Sequence, residues 1–276
     1  MFNVSNEVAC FLLGVYRISE LMDELKFTVK QNHELITDEN DLLKKMIDRD
    51  GIKFLKQAFL NYALYGYTVG YFTKSIASFL QNDSEELTPY QYRKIIGIYC
   101  INSYALSPDF SNQDELSGMF VSNPSGLSSR NYLKRDEFVY CEQWHPYSKS
   151  SHINYADIFI GELKSIAGYR NLEKELYLLR MEFINNPDQF AEHFDKMDFS
   201  LLPEHIINIA SYVLGIEQDL IIGRNKEGER YTILKKRTIH DTVMPFAVYL
   251  TDCLNRDMDL PEDISIQIEY MQPELA

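Results

Sequence analysis

The chain has 276 residues, 45% of them hydrophobic and 25% charged, with a formal net charge of −14. That length holds one large domain or two small ones, and the apolar fraction excludes wholesale disorder. The excess of acid repels phosphate backbones and removes non-specific nucleic-acid binding as the default reading.

Taken from the start, no basic stretch precedes the apolar run, so no secretory signal is expected. Val8, Phe11, Leu12, Val15, Ile18, Leu21, Met22 and Leu25 recur at helical spacing and predict a helix over 6–30, with Asn6 as its cap. A short helix carrying Leu42, Leu43, Met46 and Ile47 follows and breaks at Asp50-Gly51. Residues 52–81 predict a buried helix apolar on more than one face. Its uncharged run, 57–73, contains Asn61 and is flanked by Lys56 and Lys74, which argues against a membrane span. Thr88-Pro89 opens another helix that Ser107-Pro108 stops.

Residues 1–106 therefore read as a helical bundle, and 107–130, rich in Ser, Pro, Asn and Gly, as a loop or linker. Beyond it, residues 131–276 predict a smaller mixed α/β part with about five short strands. These are 138–141, 158–160, a hairpin over 220–234 and a cleanly alternating strand at 264–270, with helices over 171–185, 202–214 and 239–254. The expected class is α+β, predominantly helical. Cys10, Cys100, Cys141 and Cys253 show no CxxC spacing and imply free thiols in a reducing, cytoplasmic setting.

No phosphate-binding loop, Gly-rich dinucleotide turn, Gly-x-Ser-x-Gly elbow or His-Glu-x-x-His occurs. Residues 156–164 read Ala-Asp-Ile-Phe-Ile-Gly-Glu-Leu-Lys, an apolar stretch ending in Glu162-x-Lys164. This resembles the second half of the PD-(D/E)xK nuclease signature. The resemblance implies a strand that brings Glu162 and Lys164 to one face, Glu162 as a ligand of Mg2+ or Mn2+, and Lys164 stabilising developing charge. Asp136 or Glu142, flanking the 138–141 strand, would supply the other carboxylate. The plainer reading is a solvated strand end; Glu-Leu-Lys also occurs at 24–26.

Cys141, His145 and His152 are donor types for a metal but lack a fourth partner. His205, His240-Asp241 and Asp252 follow the order of a helical metal phosphohydrolase, against a capping or surface role for His240. Tyr62, Tyr65, Tyr67, Tyr71, Tyr92, Tyr99 and Tyr104 suit either a helical core or a partner groove.

The reading that combines these features is a soluble, acidic, non-catalytic subunit or regulator that binds a protein partner in a larger complex. It needs no cofactor and no membrane. The alternative is the metal-dependent nuclease using Glu162 and Lys164.

Overall fold

The computed structural model describes residues 5–39, 41–74, 95–110, 115–122, 132–142, 154–165, 171–194, 196–197, 199, 202–223 and 228–271. The fold is mixed α+β and rich in helix. The chain divides into two compact units, each gathered from separate stretches. One comprises Met1–Asp23, Phe59–Tyr67 and Glu142–Phe246; the other comprises Glu24–Ala58, Thr68–Cys141 and Ala247–Ala276.

The first unit is helical. Helix α1 (Asn6–Leu21) begins where the Ser5 hydroxyl accepts from the Val8 N–H. Val8 to Leu13, Val15 and Ile18 are all buried, because α1 is packed on several sides. Its neighbours are α4 (Leu172–Asn185), α5 (Pro187–Phe194), α6 (Glu204–Leu214) and α7 (Gln218–Ile221). Gly14 permits the closest approach, since a Cβ there would lie 2.6 Å from Leu214 Cδ1. Phe11 stacks on Phe159 of α3 (Tyr155–Lys164) with ring centroids 4.6 Å apart.

Helix α8 (Glu229–Thr238) passes through a π-helical stretch, Ile239–Val243, into α9 (Met244–Asp257). Pro245 lies just after that stretch and has no N–H to return to the preceding turn, which accounts for the widened spacing. The Thr242 hydroxyl fastens the stretch by donating to the Gly215 carbonyl at 2.5 Å. Helices α2 (Leu42–Tyr65) and α9 contribute residues to both units.

The second unit carries the strands. Among the described residues they form three-stranded sheets of order β2-β1-β9, β4-β3-β8 and β5-β6-β7. The strands are β1 (Leu25–Gln31), β2 (Glu34–Leu35), β3 (Tyr67–Lys74), β4 (Ile95–Ile101), β5 (Leu106–Asp109), β6 (Gly118–Val121), β7 (Tyr132–Lys134), β8 (Phe138–Glu142) and β9 (Ile264–Tyr270). β1 pairs antiparallel with β9, setting Val29 opposite Ile266, and β3 pairs antiparallel with β4, setting Tyr71 opposite Tyr99.

Several expectations are corrected. The N-terminal region is not helix throughout, for β1, β3 and β4 interrupt it. Leu25, Phe27 and Val29 also alternate, and their sheet partner β9 decides between the two periods. The break expected at Asp50-Gly51 is absent: the helices expected on either side of it are one, α2, which ends at Tyr65, where Gly66, at φ +79°, turns the chain into β3, whose β-branched and aromatic residues suit a sheet. In place of a helix, β4 occupies 95–101. Thr88-Pro89 lies outside the described residues. The strand expected at 158–160 lies inside α3, and the hairpin expected over 220–234 is helix at Gln218–Ile221 and Glu229–Thr238. The expected strands at 138–141 and 264–270 are present as β8 and β9.

Candidate functional site

Glu162 and Lys164 lie on α3, not on a strand. Asn154 sets the helix in train: its side-chain oxygen accepts from the Asp157 N–H at 2.7 Å, while its amide donates to Asp157 Oδ2 at 2.6 Å. Ala156, Phe159, Ile160 and Leu163 then fall on the buried side. At about 100° per residue, positions two apart point in nearly opposite directions on a helix, so the shared face that a strand would give Glu162 and Lys164 is lost. Lys164 Nζ pairs instead with Glu173 at 2.5 Å on the surface.

Asp136 sits in the 3-10 turn Arg135–Glu137, and Glu142 ends β8. Among the described residues, no group of three His, Cys, Asp or Glu side chains is placed to hold a metal ion. His145 and His152 lie outside the described residues. His240 bonds its neighbour Asp241 at 2.7 Å with its side chain 87% exposed, while His205 stands on α6 and Asp252 on α9.

The polar constellation that the structure does assemble was not foreseen. It centres on Asp257, whose side chain is only 2% exposed. Arg135 Nη2 reaches Oδ1 at 2.5 Å, and Arg256 reaches Oδ1 and Oδ2 at 2.6 and 2.9 Å. The Tyr140 N–H donates to Oδ2 at 2.9 Å. Arg135 also donates to the Phe138 carbonyl at 3.0 Å, and Arg256 to the Tyr140 carbonyl at 2.9 Å. Two guanidinium groups and an amide thus satisfy one buried carboxylate, and the hydrogen bond to Asp257 raises the already high Arg256 pKa further.

Beside it, Cys141 of β8 and Cys253 of α9 are buried and form no disulfide. Burial drives the Cys141 thiol well above its ordinary pKa, which makes it a poor nucleophile. Arginine and aspartate so engaged hold the backbone of β8.

The exposed apolar side chains mark a different kind of site. On α4, Tyr177, Leu178 and Met181 are 59, 60 and 41% exposed and lie within one turn of each other. Arg180, between them in sequence, stacks 4.2 Å from the ring centroids of both Tyr65 and Tyr177, so that Tyr177 is held in place while facing outward. Tyr212 on α6 is 84% exposed. Large apolar residues gathered on an exposed helix face are the usual mark of a protein contact. No helix among the described residues is long and apolar enough to cross a membrane.

No family model matches the chain, and no curated protein matches it. Among solved structures, a chain in the neck of an empty GTA particle, computed with C6 symmetry, is similar at 11% identity with a TM-score of 0.51. The match covers 95% of this chain and 80% of that one. A chain in the neck of the native GTA particle, computed with C12 symmetry, is similar at 11% identity and a TM-score of 0.53, over the same shares of the two chains. At that identity the likeness is one of fold.

Proposed function

We propose that this chain is a non-catalytic subunit of a larger protein assembly, repeated around the axis of a neck-like ring in the cytoplasm. The observation that carries the reading is the fold likeness over 95% of the chain to subunits of particle necks described with C6 and C12 symmetry. The exposed Tyr177, Leu178 and Met181 support it, since a subunit within a ring needs an apolar contact face on its flank. The constellation around Asp257 supports it as well, because its charges are spent on holding strands. A net charge of −14 per copy opposes self-association, so the contact has to be apolar enough to overcome that repulsion.

The test is sedimentation of the purified full-length chain across a concentration series, with electron-microscopic class averages of the largest species. Rotationally symmetric rings are the expected result. A single monomeric species at every concentration overturns the reading.

A further inference from the structure

Among the described residues, the sheet β4-β3-β8 has two outer edges, one along β4 and one along β8. Such edges present unpaired backbone N–H and C=O groups, ready to template another strand. Here both are occupied, and by the same device. Along β8, Arg256 and Asp257 of α9 take the Tyr140 carbonyl and N–H, each at 2.9 Å. Both bonds fall on one residue, which is the pattern an antiparallel partner would make.

Along β4, Arg49 and Asp50 of α2 take the Ile96 carbonyl at 2.8 Å and the Ile98 N–H at 3.4 Å. These two bonds straddle Gly97, as a residue of a parallel partner would. In each dipeptide the arginine also grips its own aspartate through two bonds, at 2.7 and 2.6 Å for Arg49–Asp50 and at 2.6 and 2.9 Å for Arg256–Asp257. Donor and acceptor are thereby locked side by side as a peptide group would present them. Gly97 makes room for this, since a Cβ there would come within 3.2 Å of Arg49 Nη2.

We propose that the two Arg–Asp dipeptides are surrogate strand residues that close both edges of this sheet, and that the partner they exclude is the same edge of a second copy of this chain. The sequence of β4 identifies that partner. Ile-Ile-Gly-Ile-Tyr-Cys-Ile has no charge and no proline, and Ile96 and Tyr99 are 41 and 42% exposed. A seven-residue uncharged segment of this β-prone kind pairs best with an identical copy of itself. The proposal does not depend on the ring reading, because it concerns the sheet of a single chain.

Asp50→Ala is the test, read by hydrogen exchange at the Ile98 amide and by thioflavin-T binding in a concentration series. The expected result is at least about tenfold faster exchange at Ile98 and a dye-binding, concentration-dependent species that the unsubstituted chain does not form. Asp50→Asn keeps one acceptor oxygen for the Ile98 N–H but loses one of the two bonds from Arg49, so its exchange at Ile98 is expected between the parent and Asp50→Ala, with no dye-binding species. Adding Ile96→Lys to Asp50→Ala places a charge on the exposed edge and is expected to abolish the dye-binding species; loss of stability alone would not be rescued that way.

Unchanged exchange and association in Asp50→Ala overturn the proposal, as does association that Ile96→Lys leaves intact. Asp257→Ala probes the β8 edge; if its burial prevents folding, the Asp50 variants decide. Rings that bind no dye, in any variant, report on the assembly reading and not on this one.

Discussion

Asn255 holds Ile266 through both polar groups of its backbone: the carboxamide oxygen accepts from the Ile266 N–H at 2.8 Å, and the carboxamide nitrogen donates to the Ile266 carbonyl at 2.9 Å. Ile266 belongs to β9, an outer strand of its sheet, and is 1% exposed. The last turn of α9 therefore closes two different sheets with three consecutive residues, Asn255 on β9 and Arg256–Asp257 on β8. Asn255→Ala would leave a buried donor and acceptor unpaired, at a cost of about 1–3 kcal/mol. Urea unfolding is expected to show a lower midpoint with an unchanged slope, since the same surface is exposed.

The Arg49–Asp50 pair gives stability a dependence on acid. The hydrogen bond from Arg49 holds the Asp50 carboxyl below its ordinary pKa, helped by the Ile98 N–H and by the charges of Arg49 and Lys53, against a smaller opposing effect of burial. A carboxyl whose folded pKa is depressed stabilises fully above the unfolded value of about 3.9, and that contribution is lost as pH falls through the folded value. Stability measured from pH 7 downward should therefore fall less steeply in Asp50→Asn than in the parent on the acid limb alone. Parallel acid limbs would show that the pair contributes nothing.

Some of this architecture was legible in the residues and some was not, for identifiable reasons. The alternation of Ile264, Ile266 and Ile268 announced β9, and the apolar run at 138–141 announced β8. The short apolar runs at 158–160 and 220–222 fit strand and helix alike, and capping by Asn154 decided the first in favour of helix. Asp50 reads from the sequence as a helix breaker beside Gly51, and neither it nor Asp257 can be recognised as an anchor until the sheet edge it faces is known. The exposed Tyr177 of α4 lies outside the tyrosine-rich stretches at 62–71 and 92–104.

Gly70 shows how tightly β3 is packed. A Cβ there would lie 2.5 and 2.6 Å from two ring carbons of Phe54 and 2.6 Å from Val139 Cγ1, with both neighbours buried. Gly70→Ala forces the ring and the valine to move, at a cost of about 1–3 kcal/mol. The expected result is a lower Tm. Phe54→Leu in the same background should recover part of the loss, because the two sites share one space and their effects are not additive. A Tm for Gly70→Ala equal to that of the parent would show that the backbone shifts freely at this strand.

The face formed by Tyr177, Leu178 and Met181 separates folding from assembly. Leu178 is 60% exposed, so Leu178→Glu should change folding stability by no more than about 0.5 kcal/mol. In a contact between copies the same substitution puts a carboxylate against an apolar partner, on a chain already carrying a net charge of −14. The concentration needed for assembly should then rise at least about tenfold, equivalent to about 1.4 kcal/mol per contact. Leu178→Met, which keeps the apolar volume, should leave assembly near the parent level. Sedimentation beside thermal unfolding of the three proteins reads both quantities. Assembly unaffected by Leu178→Glu removes this helix face from the contact, whereas a large fall in Tm would mean that the leucine supports the fold of its own chain.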